Sequence, residues 1–186
     1  MSPNASPAKA VCGRGDSVHM SAHRASVGEP TAVNGDLYGR STRRRTLAFG
    51  LFALAILEVA VAVVGSVIVG FDIGDAVETF VVTNSVMGLA FPISGVLIAL
   101  QRPRNPIGWL LLAEGIGHAT TAAMAPVFEL GLDNGWPEPT LRTVLTFYAY
   151  AWPWSIGLCL PLVLLLFPDG RLLSSRWRWL VWVTVL

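Results

Sequence analysis

The sequence predicts an all-α membrane protein: a polytopic helical bundle of four full transmembrane helices and an incomplete fifth, preceded by a disordered tail. Three observations predict it. Of 186 residues, 53% are hydrophobic and only 13% are charged, about half the roughly 25% that a soluble domain carries. Such a chain lacks the polar surface to cover a soluble globule. The apolar residues gather in four runs long enough to cross a bilayer, joined by short polar connections. All but one of the 13 Lys and Arg lie in the tail or in the second and fourth of those connections.

Residues 1–45 are rich in Ser, Ala, Gly, Pro and Arg and show no sustained apolar periodicity. They cannot bury enough surface to offset their ordering entropy, so a disordered cytoplasmic tail is expected, ending in Arg40, Arg43, Arg44 and Arg45. The first span is expected at 46–70, with Glu58 its single charge. A rise of about 1.5 Å per residue carries that run about 37 Å, enough for a hydrocarbon core of about 30 Å with some tilt. It starts too late and runs too long for a cleavable signal peptide.

Further spans are expected at 79–100, 107–130 and 143–167. The connection before the second carries Asp72, Asp75 and Glu78 and no base. The connection before the third carries Arg102 and Arg104 and no acid, and Asn105 is placed to cap a helix that begins at Pro106. Before the fourth lies a turn-rich stretch, Asp133-Asn134-Gly135 with Pro137 and Pro139, holding one base, Arg142. After it, Arg171, Arg176 and Arg178 face a single acid, Asp169. A last apolar run, 179–186, reaches only about 12 Å of the core, so the chain is expected to be a fragment of a longer protein.

The arginine distribution orients the chain. By the positive-inside rule the expected topology is multi-pass in the cell membrane with a cytoplasmic N-terminus. Trp109, Trp177 and Trp179 then fall at headgroup depth, where amphipathic indoles prefer to sit. The arginine-rich turns suit anionic headgroups without specifying a function.

Several function classes drop out. A net charge of +1 gives no basic field for nucleic acid. Two cysteines make no disulfide framework, and Cys12, His19 and His23 lack both a fourth ligand and a folded scaffold for a metal. No phosphate-cradling loop, dinucleotide fingerprint, zinc-protease helix or nucleophile elbow is present. The chain is therefore expected to be no enzyme, with no cofactor and no metal site. Its expected partners are the lipid bilayer and a second copy through the membrane domain, with no nucleic acid and no nucleotide.

The candidate functional residues are the ionisable groups inside the spans: Glu58, Glu114 and His118. A charged group at the centre of a span costs roughly 3 kcal/mol on insertion scales, so it is expected to point inward and find a partner. Counted from the start of their runs, Glu58 and His118 come to matching depths, and Glu114 lies one turn from His118 on the same face. Glu58 and His118 are expected to face each other. Such a group of residues serves either as a proton- or ligand-sensing site or as hydrogen bonding that holds the bundle together. The prolines and glycines within the spans point to kinks and close helix contacts. Trp152 and Trp154, 9–11 residues inside the fourth span, suit a cavity lining or packing bulk.

Two stretches carry a family resemblance. Arg102-Pro103-Arg104-Asn105-Pro106-Ile107-Gly108-Trp109-Leu110-Leu111 resembles the second cytoplasmic turn and third span of the membrane sensor regions of actinobacterial sensor histidine kinases. Leu164-Leu165-Leu166-Phe167-Pro168-Asp169-Gly170-Arg171-Leu172, followed by Ser175-Arg176-Trp177-Arg178, resembles their next cytoplasmic turn. The resemblance covers 46–186 and implies a sensory input module of a two-component system. In that family more spans follow, then a dimerising helix pair with the phospho-accepting histidine, then an ATP-binding domain. Neither later domain is in this sequence, and no catalytic residue carries over. The alternative is a small stand-alone membrane protein, transporter-like or an accessory subunit, with Glu58 and His118 as a proton relay.

Overall fold

In the computed structural model the chain is described over residues 31–172 and 174–185. The tail residues Cys12, His19 and His23 lie outside that range. Six α-helices follow in order: α1 Thr31–Val69, α2 Ile73–Glu78, α3 Val81–Gln101, α4 Pro106–Asp133, α5 Glu138–Leu166 and α6 Arg178–Val185. A 3-10 turn at Ser175–Trp177 leads into α6. Among the described residues there is no strand.

The first difference from expectation is where α1 begins. Residues 31–45, placed in the disordered tail, continue the helix of the first span. The apolar span supplies the helical nucleus, and propagation from it needs only one hydrogen bond per residue fixed. The short connections are shaped by local capping. Asp72 accepts from the Asp75 amide at 2.8 Å and Asp75 accepts from the Asp72 amide at 2.9 Å, a reciprocal box that starts α2. Asn105 caps α4 by accepting from the Ile107 amide at 3.0 Å, with Pro106 at the first helical position.

Among the described residues three segments are long and apolar enough to cross a membrane: Thr42–Val69, Val81–Gln101 and Glu138–Leu166. Four were expected, and α4 is the one outside this set. Its 28 residues include Glu114, His118 and two adjacent threonines, which dilute its apolarity. The fold explains why such a helix is tolerated. Helix α4 packs against α1, α3 and α5 and holds half of the buried described residues, so its polar groups face protein. The outer helices carry the exposed apolar surface, including Leu57, Val67, Val86 and Leu164.

Small residues set the distances between helices. Gly88 meets Ala119, Gly115 meets Pro92, and Gly95 meets Gly108 and Leu112, in the steadily opposed register of an antiparallel α3–α4 pair. Helix α1 contributes Ala48, Ala55 and Ala62, fully buried and seven residues apart, to the clusters that hold Leu112, Ala119 and Ala125. Both helices advance in the same direction, so α1 and α4 are parallel with a coiled-coil-like seam. Helix α5 docks where Gly117 meets Ser155, and the Trp152 amide donates to Thr121 Oγ1 at 3.1 Å.

Trp152 and Trp154 do not fill the core. Both are exposed, Trp152 at 41% and Trp154 at 71%. With α4 as its main partner, α5 leaves the rest of its surface outward. Large apolar rings cost nothing facing hydrocarbon, so burial is not required of them.

Candidate functional site

Three buried polar side chains, Asn84, Glu114 and His118, meet at the α3–α4 contact. His118 Nδ1 lies 2.7 Å from Asn84 Oδ1, and His118 Nε2 lies 3.3 Å from Glu114 Oε1. Glu114 is 1% exposed and His118 2%. The Phe91 ring stacks on the imidazole with centroids 5.9 Å apart. Asn84 is oriented by its own helix, because its Nδ2 donates to the Phe80 carbonyl at 3.0 Å. Its oxygen therefore faces His118, and an oxygen there accepts. The Nδ1 proton is thus assigned by the hydrogen-bond network, and Nε2 is the nitrogen that faces the carboxyl.

The Glu114 carboxyl and His118 Nε2 face each other in a buried setting, where a hydrogen bond between them would satisfy both. In the present geometry neither Glu114 oxygen nor His118 Nε2 makes a hydrogen bond. The contact is close but poorly aligned, so a small rotation of either side chain completes it. Both groups are buried with polar atoms unsatisfied, so a rotation that aligns them would relieve a desolvation cost.

Glu58 stands apart from them. It accepts from Thr120 Oγ1 at 3.0 Å, and its second oxygen is buried without a hydrogen bond. The expected Glu58–His118 pairing is replaced by Glu58–Thr120 across α1 and α4 and by His118–Asn84 across α4 and α3. The reason is helical geometry. His118 and Thr120 are two residues apart, about 200° around α4, so they address different neighbours. The Ala48–Ala55–Ala62 seam also sets the level of α1 against α4: Ala55 lies by Ala119, so Glu58 sits nearly one turn beyond His118. Counting depth from the edges of two apolar runs assumed that both edges lie at the same height.

Asn84 and Thr120 are the members of these sites that the sequence reading left unnamed. The signal was present in Thr83-Asn84-Ser85, three polar residues in succession inside an apolar run. A primary amide in hydrocarbon needs partners as a carboxyl does. Among the described residues no group of three His, Cys, Asp or Glu is placed to hold a metal ion. Cys159 is a buried free thiol.

At the N-terminal end of α4 the two turns that carry the family resemblance come together. Gly170 adopts φ +73° and lies so close that a Cβ there would fall 2.5 Å from Asn105 Oδ1 and 2.6 Å from Pro106 Cδ. Both the left-handed backbone and the approach favour glycine. The Pro103 carbonyl accepts from Arg44 Nη1 and from Trp109 Nε1, each at 3.2 Å, joining α1 and α4 to the α3–α4 turn. No protein-family model, curated protein or solved structure matches the chain.

Proposed function

We propose that the chain is a membrane-embedded input module of a two-component sensor histidine kinase. One observation carries the reading. Helix α4 holds the buried His118–Glu114 pair at its middle, with Asn84 of α3 on His118, and its first residues pack on the turn at Gly170 that leads to α6. A rearrangement of this group has a rigid helix through which to reach the 167–172 turn, and α6 follows that turn. The stand-alone relay reading draws no support from a geometry that gives Glu58 to Thr120.

The same reading takes α4 as a fourth crossing. Its length of about 42 Å spans the core, and α1, α3 and α5 shield its polar groups. With four crossings, the arginines of α1 and of both resembling turns share the cytoplasmic side in the cell membrane. Reporters active only outside the cell, fused at residues 75 and 135, are expected to give signal. Reporters fluorescent only in the cytoplasm are expected to do so at 104 and 172. Opposite signals at two of the four sites sink the topology.

The functional reading is tested most directly in the DNA beyond codon 186. The expected result is an open frame that completes another span and reaches a histidine-bearing dimerising helix pair. A stop codon within the next span length overturns it.

A further inference from the structure

We propose that the cleft between α1 and the α3–α4 turn is a specific binding site for one anionic phospholipid, with Arg44 and Arg104 holding its phosphate. The cleft is open and shallow, about 510 Å³ in volume, and is lined by Arg44, Leu47, Pro103, Arg104, Pro106 and Trp109. Two of these residues are cationic and two supply apolar wall, which is the composition a phospholipid requires at its headgroup–acyl boundary.

The geometry favours a phosphate over a surface merely rich in arginine. Arg44 spends one N–H on the Pro103 carbonyl, which fixes the position of its guanidinium. The remaining donors of that fork are held in place for an acceptor. Arg104 follows Pro103 directly and has no hydrogen bond or ion pair among the described residues. No carboxylate pairs with any described arginine at this end, so the cleft gathers two cationic side chains with no anion among the described residues to balance them. A phosphate bridging them supplies that anion and matches guanidinium geometry bidentately.

The walls identify the source of the phosphate. Arg44 lies in the first turn of the Thr42–Val69 segment, and Leu47 follows about one turn deeper, 55% exposed. Trp109, pinned by its indole N–H to the Pro103 carbonyl, closes the other side. A lipid seated by its phosphate lays its glycerol and first methylenes along Leu47 and Trp109. A free phosphate leaves that apolar wall without a partner.

The test titrates the purified full chain in mild detergent with phosphatidylglycerol, with phosphatidylcholine of the same acyl chains, and with inorganic phosphate. Bound molecules are counted by native mass spectrometry. The parent is expected to retain one phosphatidylglycerol in preference to phosphatidylcholine by about tenfold or more, and inorganic phosphate at millimolar concentration is expected not to displace it. At about fivefold per arginine near a headgroup, Arg44→Gln with Arg104→Gln lowers that affinity by about 25-fold. Arg43→Gln with Arg45→Gln, the same change in charge placed on the residues flanking Arg44, is expected to lower it less than threefold. Arg104→Gln alone removes no protein contact and is expected to lose about fivefold with the fold intact. Equal losses in the two double variants reduce the site to general charge attraction and overturn the proposal. So does displacement by inorganic phosphate, or an Arg104→Gln variant indistinguishable from the parent.

Discussion

His118→Ala is expected to cost the purified chain about 3–5 kcal/mol of stability in detergent, and much of that loss is expected to return when Glu114 is also replaced, as Glu114→Met. The single substitution opens a cavity against Phe91, leaves Asn84 Oδ1 without its partner, and strands a carboxyl that is 1% exposed. Glu114 and His118 share one helix, so their proximity persists when the helices separate. What folding changes is their burial. The coupling in a double-mutant cycle therefore reports desolvation of the stranded carboxyl, and about 1 kcal/mol or more is expected. The corresponding Glu58 and His118 cycle is expected to give a coupling within about 0.5 kcal/mol of zero, because each has a different partner. A Glu114–His118 coupling of zero would remove the candidate site. A large Glu58–His118 coupling would restore the pairing that depth counting suggested.

Gly115→Ala is expected to be the most damaging single-methyl addition in the bundle. A Cβ at that position falls 2.1 Å from both Cδ and Cγ of Pro92, on the facing helix. The proline ring is part of the backbone and has no rotamer to yield, so α3 and α4 must move apart along a seam that also holds His118 and Asn84. Overpacking of this kind typically costs about 1–3 kcal/mol, and the rigidity of the ring puts the expectation at the upper end. Gly157→Ala is the matched control, since nothing lies within 4 Å of its Cβ position on the exposed side of α5. That substitution is expected to be neutral or to stabilise by up to about 1 kcal/mol through helix propensity. Thermal unfolding of the two variants beside the parent decides the matter, and equal midpoints would mean that α3 and α4 are not in this contact.

Much of this protein is legible without coordinates because hydrocarbon imposes a simple rule on sequence. A segment that faces lipid must be apolar and must satisfy its own backbone, so long apolar runs read directly as helices, and Thr42–Val69, Val81–Gln101 and Glu138–Leu166 emerge within a few residues of their expected bounds. The rule weakens where a helix faces protein. Helix α4 falls short of the same apolarity because α1, α3 and α5 stand between it and lipid. The Asn105 cap and the turn at Asn134 and Gly135 were likewise readable, being local chemistry of adjacent residues.

The choice of partner was not readable. Glu58, Glu114 and His118 stood out by sequence as polar groups in an apolar setting, and all three are engaged or enclosed on the inside of the bundle. Which of them meet depended on the rotation and relative height of α1, α3 and α4. Those are set by the alanines at 48, 55 and 62 and by the contacts of Gly88, Gly95 and Gly115, small side chains whose importance exists only in what they allow to come near. The sequence by itself determined an all-helical chain, its candidate spans and its polar residues, because these follow from local hydropathy and capping. Only the tertiary structure decided that Asn84 completes the His118 site, that Thr120 takes Glu58, and that the turn at Gly170 rests on Asn105, because helix register is fixed by contacts between residues distant in the chain.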